Sequence, residues 1–392
     1  MSFITNIRSV AKYESKILVR SWFFRIFTLL AVVFLGFFNF AMMLMEDNFG
    51  LWFAKSVSSN IPYLNLLLLN TGQAVVAVFL SSEFLKRDKK LDTSEVFYVR
   101  PLSNAEYVVG KIWGNLRVFL FLNLLVLAIV LAFNFMASGV TVDLPAYLVY
   151  FFLISIPTLI FIIGLSIFLM LLLKNQALTF ILLLGYIGLT LFYIQDKFYY
   201  LFDYMVYNLP LFKSTIVGFS NLELILNHRA IYFFAGLGFI FFTIFLFKRL
   251  PNARRSHYPW LFLSFCMFLL MVTAGFRHVR SILREGEMRA LYTSINNKYV
   301  YEPKMAIDYY DISVEQKSET IRSVVGMEGT ALAASEVFIF CLNPGLRVEE
   351  VKDGEKSLNF KREEQILAVD FGREIEKGDT ISFSVSYEGR IK

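Results

Sequence analysis

Seven long apolar runs follow one another along the chain up to about Phe276, and no other feature constrains the fold so tightly. A hydrocarbon core of about 30 Å takes about 20 residues of helix to cross, and a segment inside it must satisfy its backbone polar groups internally. The runs are approximately Phe23 to Met45, Ile61 to Leu85, Ile112 to Ala137, Tyr147 to Leu173, Ala177 to Ile194, Ile231 to Phe247 and Trp260 to Phe276. The fifth and seventh are short, but their Leu, Ile and Phe density and near absence of charge favour crossing over burial in a soluble core. Composition agrees: 57% hydrophobic and 17% aromatic residues against 18% charged exclude an ordinary soluble domain and a disordered chain. Two cysteines, Cys266 in an apolar run and Cys341 in a strand-like run, exclude a disulfide scaffold and a paired-cysteine metal site.

Lys and Arg in the short loops set the expected orientation. With the N-terminus cytoplasmic, the inside segments carry Arg8, Lys12, Lys16, Arg20 and Arg25, then Lys86, Arg87, Lys89, Lys90, Arg100 and Lys111, then Lys174, and finally Lys248, Arg249, Arg254 and Arg255. The outside loops before the last span carry only Lys55, Lys197, Lys213 and Arg229, and an odd number of spans places everything after Phe276 on the far side. The net charge of +6 is therefore topological, and nucleic-acid binding is not read from it.

Ahead of the first span, residues 1–22 read as an amphipathic surface helix. Phe3, Ile7, Val10, Ala11, Ile17 and Leu18 fall on one arc and Arg8, Lys12, Lys16 and Arg20 on the other. Glu14 sits within the apolar arc, where it makes a local ion pair or a contact to another subunit. The one long inside loop, Glu83 to Lys111, has a charged start, a break at Arg100-Pro101 and a second helix start at Ser103 with Glu106 in the capping-box position. It reads as a docking element or a solvated loop.

Polar residues inside the spans have two readings as well. Asn65, Asn70 and Gln73 in the second span and Asn115, Arg117 and Asn123 in the third either line a translocation path or hydrogen-bond between helices, with Arg117 able to snorkel to the membrane edge. Gly110 and Gly114 permit close helix approach. Pro157 bends the fourth span and leaves a carbonyl in need of a substitute donor.

The stretches KYESKILVRSWFFRI and SSEFLKRDKKLDTSEVFYVRPLSNAEYVVGKIWG resemble the permease subunits of ABC type-2 exporters over residues 1–255. In that family a glutamate closes the second span, a basic stretch follows, and a Pro-Ser-x-x-Glu-Tyr-like element precedes a lysine that opens the third span. Glu83, Arg87, Pro101, Ser103, Glu106, Tyr107 and Lys111 occupy those places, and Glu14 fits the acidic position of the elbow helix. Arg100 and the DKKLDTSE run depart from the family's Gly-containing turn. The resemblance implies a coupling helix that enters a cleft of a cytoplasmic ATPase subunit, with a coupling surface of Glu14, Glu83, Arg87, Asp88, Leu91, Arg100, Pro101, Ser103, Glu106 and Lys111. It implies a homodimer or a pair of permeases, and ATP and magnesium bound on the partner. This chain itself has no G-x-x-x-x-G-K-[ST] phosphate loop, and no cofactor is expected on it. The aromatic segment around Pro210, between the fifth and sixth spans, is either an interfacial belt or the family's pair of short re-entrant helices.

After the seventh span, residues 277–297 read as a polar stalk. Short β-rich runs follow, at Ile307 to Ser313, Glu336 to Leu342, LRVEEV, QILAVDF and TISFSVSYEG. They predict an extracytoplasmic β-sandwich-like domain over residues 300–392. SEVFIFCLNPGLRVEEVKDGEKSLNF and GDTISFSVSYEGRI resemble the N-terminal β-domain of aminopeptidase-N-like metallopeptidases, which implies a domain cut short at Lys392. The three histidines, His228, His257 and His278, are isolated and no H-E-x-x-H is present, so peptidase activity is not expected of this chain. The fold class expected is an α-helical polytopic membrane protein, a six-span permease-like bundle over residues 23–255 and a seventh span within 256–299, ahead of that β-domain. Two functions compete: the permease of an ATP-driven exporter in a bacterial inner membrane, and a membrane anchor or sensor for the β-domain.

Overall fold

In the structure, a computed structural model, the residues described are 3–44, 57–82, 102–136, 141–194, 196–211, 213–214, 218–219, 221–247, 258–317 and 320–391. They form two compact units, Met1–Thr215 with Asn221–Arg280, and Ile216–Ser220 with Ser281–Lys392.

The first unit is helical. A surface helix α1 (Phe3–Arg20) precedes α2 (Trp22–Leu44), α3 (Asn60–Ser82), α4 (Asn104–Met136), α5 (Leu144–Leu173), α6 (Gln176–Ile194) and α7 (Leu222–Leu246), and α8 (Tyr258–Lys298) begins in this unit. The seven helices after α1 are each long and apolar enough to cross a membrane. Local chemistry sets several boundaries. Ser103 and Glu106 start α4 eight residues before the apolar run begins. Asn175 accepts the Leu178 N–H to start α6, directly after Lys174 ends α5 in the left-handed conformation. α7 starts at Leu222, so Arg229, expected in a loop, lies inside a helix and is buried. The expected seventh span and stalk are one continuous helix.

Helix faces follow composition. On α1 the buried stripe is Ala11, Glu14, Ser15 and Leu18, while Arg8, Lys12, Lys16 and Arg20 are exposed. That stripe lies on the start of α4, and glycine makes the approach possible. A Cβ on Gly110 would stand 2.7 Å from the Val10 Cβ, and one on Gly114 2.7 Å from the Glu14 Cβ and 2.8 Å from the Ala11 carbonyl oxygen. α5 and α7 meet at a second such point, where a Cβ on Gly164 would stand 2.7 Å from the Gly236 carbonyl oxygen.

The second unit is a two-sheet antiparallel sandwich. Its strands are β1 (Met305–Lys317), β2 (Thr320–Ala331), β3 (Ser335–Cys341), β4 (Leu346–Asp353), β5 (Lys356–Ser357), β6 (Asn359–Glu363), β7 (Ile366–Ile375) and β8 (Thr380–Gly389). One sheet has the order β1-β2-β8-β4-β5 and the other β3-β7-β6. Phe338, Val369 and Phe371 of the smaller sheet pack with Val351, Phe383 and Val385 of the larger one in a single core. β2 and β6 were not anticipated: Gly326 and Gly329 interrupt the alternation of the first, and the second, NFKRE, is mostly polar. Within this unit the end of α8 is tied to the smaller sheet. Lys298 Nζ and the Tyr299 O–H reach Glu363, and Gln365 Nε2 donates to the Tyr292 carbonyl at 2.7 Å.

Candidate functional site

The start of α4 gathers much of the expected coupling surface that lies within the described residues. Ser103 and Glu106 close a reciprocal capping box, with Ser103 Oγ accepting the Glu106 N–H at 3.1 Å and Glu106 Oε2 accepting the Ser103 N–H at 2.6 Å. The second Glu106 oxygen accepts Asn6 Nδ2 of α1 at 2.8 Å. One helical turn on, Lys111 Nζ stands 3.0 Å from Glu14 Oε1, with side chains only 2% and 5% exposed, so neither charge is solvated in the usual way. Ser15 Oγ donates to the Gly114 carbonyl at 2.7 Å and accepts from Arg117 Nε, whose Nη2 donates to the Ala11 carbonyl at 2.8 Å. At the far end of the bundle's sixth span, the Phe247 carbonyl accepts Asn104 Nδ2 at 2.6 Å and the Phe247 ring stacks on Tyr107. Glu14, Ser103, Glu106, Lys111 and Arg117 are thus one continuous polar seam between α1 and α4. Glu83, Arg87, Asp88, Leu91, Arg100 and Pro101 lie outside the described residues.

What the seam can do is mechanical. Breaking a buried ion pair by removing one member typically costs about 3–5 kcal/mol, so the Glu14–Lys111 contact favours the register in which α1 lies on the first turns of α4.

The polar residues of the second and third spans form a separate cluster. Asn70 Nδ2 lies 3.3 Å from both Asn123 Oδ1 and Ser155 Oγ, Gln73 Nε2 donates to Asn70 Oδ1 at 2.6 Å, and Asn123 Nδ2 returns to Gln73 Oε1 at 2.9 Å. Ser155 Oγ completes the group, donating to Asn123 Oδ1 at 2.8 Å. All four side chains are buried and joined across α3, α4 and α5. Asn39 and Asn65 make a reciprocal amide pair between α2 and α3. Asn115 is buried on α4 outside this cluster, and Arg117 belongs to the α1 seam.

A third polar assembly lies between α6 and α7, in the aromatic segment around Pro210, where the sequence marked the segment and Pro157 but not the side chains that bond it. Residues 196–211 are irregular, with one 3₁₀ turn at Phe198–Tyr200. Tyr204, Met205, Val206, Leu209 and Leu211 are no more than 1% exposed, whereas the aromatic side chains of Phe198, Tyr199, Phe202 and Tyr207 are exposed. Four backbone carbonyls of the segment accept from side chains of the bundle. The Tyr200 carbonyl meets His228, Leu201 meets Tyr232, Tyr204 meets Thr158 and Arg229, and Leu211 meets Tyr150. Lys213 is ion-paired with Asp143. Arg229 carries the most. Its Nε donates at 2.7 Å to the Leu153 carbonyl, the one that Pro157 deprives of its helical N–H. Its other nitrogens reach Tyr204 O at 3.0 Å, Thr158 Oγ1 at 2.9 Å and Ile154 O at 3.4 Å. The backbone of α5 widens to a π-helical turn at Phe151–Ser155, and it is there that the guanidinium enters. Among the described residues no group of three or more His, Cys, Asp or Glu is placed to hold a metal ion.

No family model and no curated protein matches the chain. Among solved structures it is similar to a two-domain M1 zinc metallopeptidase bound to L-tryptophan and to an M1 zinc metallopeptidase from Deinococcus radiodurans bound to a Tyr-Ser-Ala substrate. Each match has 17% identity and a TM-score of 0.21, covering 22% of this chain and 21% of the other. The chain thus spans about a fifth of the length of those structures, and at that score the likeness carries no argument about fold or activity.

Proposed function

We propose that this chain is the membrane-spanning permease subunit of an ATP-driven transporter of the ABC type-2 class, working as an exporter. It pairs with a second permease, identical or not, and couples to a separate cytoplasmic ATPase through the segment 83–111. ATP and magnesium belong to that partner. The N-terminus is cytoplasmic, the membrane is a bacterial inner membrane, and the sandwich is periplasmic. The observation that carries the reading is the α1–α4 seam. The chain leaves the 83–111 segment straight into a capped helix start, and that start is locked to a surface helix by a buried Glu14–Lys111 pair and two glycine contacts. Such a lock suits a segment through which force is transmitted. Affinity capture of the tagged full chain from native membranes tests it. A phosphate-loop ATPase is expected with the unaltered chain and is depleted when Lys86, Arg87 and Asp88 are charge-reversed.

A second reading, a membrane anchor for the β-domain, is favoured by one observation: the sandwich has a core of its own. Capture of other complexes under the same conditions, with no ATPase at all, would select it.

A further inference from the structure

β1 is the edge of the larger sheet. β2 pairs with one side of it and no described strand with the other, so every second backbone N–H and C=O along residues 309–315 points away from β2 without a strand partner. Past the register shift at Ile307/Tyr309 the stretch has neither a bulge nor a proline to blunt it. Directly paired residues of an antiparallel sheet share a face. Val351 pairs with Val385, Val385 with Val325, and Val325 with Ile312, a row of β-branched side chains across β4, β8, β2 and β1. The three valines are at most 6% exposed, whereas Ile312 is 57% exposed, so the cover over the sandwich's inner face ends at β2. Tyr310 and Val314, on the same face of β1, are also more than half exposed.

We propose that a second copy of this chain closes this edge: β1 pairs antiparallel with β1 of the copy about a twofold axis at Ile312, joining the two larger sheets into one. A twofold pairing sets residues equidistant from its centre opposite each other, and like charges directly opposite are unfavourable. Centring on Asp311 sets two carboxylates face to face, and centring on Ser313 sets Asp311 against Glu315. Centring on Tyr310 or Val314 sets Ile312 against Asp308 or Gln316. Centring on Ile312 opposes no like charges. Ile312 meets Ile312 of the copy, Tyr310 meets Val314, and the two valine rows run on as one across the axis. On the other face Asp311 meets the Ser313 hydroxyl and Tyr309 meets Glu315, a donor for each carboxylate. Any extended strand satisfies the backbone. The match of both faces in a single register is a property of this strand against itself, and it selects the copy. The pairing goes beyond the transport reading and stands without it, since an anchored β-domain would pair in the same way.

The test uses the full chain in native membranes, with Cys266 and Cys341 replaced by Ser and one cysteine introduced in place of Tyr310, Ile312, Ser313 or Val314. Paired Cα atoms in such a ladder lie about 4.5–5.5 Å apart, within the span of about 4.4–6.8 Å that a disulfide bridges, and residues displaced by two from their partners lie beyond it. With a membrane-permeant thiol oxidant, Ile312→Cys is expected to give about ten times as much disulfide dimer as any of the other three alone. A Tyr310→Cys chain co-expressed with a differently tagged Val314→Cys chain is expected to give a mixed dimer. Adding Ile312→Lys to both, which sets two ammonium groups together at the axis, should lower that mixed dimer about fivefold. Equal crosslinking at every position would mean random collision, and a maximum away from Ile312 a different contact. Adducts with other proteins in place of the dimer would give the edge to another strand. Each of these overturns the proposal, as does the absence of any dimer from chains inserted as well as the unaltered one.

Discussion

Arg229 shows how one side chain can make an irregular backbone affordable. Pro157 removes the N–H that the Leu153 carbonyl expects, the π turn of α5 opens space, and the guanidinium fills both needs while bonding the 196–211 segment at Tyr204. Each buried acceptor left without a donor costs about 1–3 kcal/mol, so Arg229→Leu is expected to destabilise the chain by at least about 3 kcal/mol. Arg229→Lys, a point charge on a single stem, should recover only part of that loss. Thermal unfolding of the full chain in mild detergent measures both. Glu14 and Lys111 call for a double-mutant cycle. Glu14→Gln and Lys111→Met are each expected to cost about 3–5 kcal/mol, whereas the double substitution should cost clearly less than their sum, because both single changes break the same ion pair. Strictly additive losses would mean that the two do not act as a pair.

At the scale of elements, α1 depends on α4 for its position. Gly114→Leu would drive a side chain into Glu14 and the Ala11 carbonyl, and is expected to free α1, read as faster proteolysis after Lys12 or Lys16 with the rest of the bundle protected. In the second unit, the end of α8 rests on Glu363, whose carboxyl is held below the usual range first by the Tyr299 O–H and then by Lys298. A carboxyl depressed in the folded state adds stability above its unfolded pKa and loses it as pH falls through the folded value. Hydrogen exchange across residues 292–299 should therefore accelerate below about pH 4, and less so in Glu363→Gln, which has no carboxyl to titrate. The same elements show what the sequence could reveal. The Ser103–Glu106 cap and the orphaned carbonyl below Pro157 were legible because each is set by neighbours within a few residues, and the Gly110–Gly114 spacing marked a close approach without showing that α1 makes it. The path of residues 196–211 was not, because several of its carbonyls are bonded by side chains far away in sequence. The polar start of α7, NLELILNHR, disguised Arg229 as a loop charge. β2 was hidden by glycines that break its alternation.

At the scale of the whole molecule, seven helices of membrane length and a sandwich that follows them were readable from hydropathy and period alone. If all seven helices cross, as the proposed topology has it, exposed Cys341 of β3 and the N-terminus fall on opposite faces of the membrane. An impermeant maleimide added to spheroplasts is expected to label Cys341 and to spare Cys266, which lies within α8's apolar stretch. Labelling of Cys341 only after lysis would reverse the orientation. The proposal that the chain is driven by a partner ATPase stands or falls on the segment that joins α3 to α4. Its most direct test is a photo-crosslinking amino acid placed at Leu91 in the full chain, irradiated in native membranes. The account predicts an adduct that contains a phosphate-loop ATPase and is lost when Arg87 and Asp88 are charge-reversed. Adducts with lipid alone, from a chain correctly inserted and folded, would contradict it.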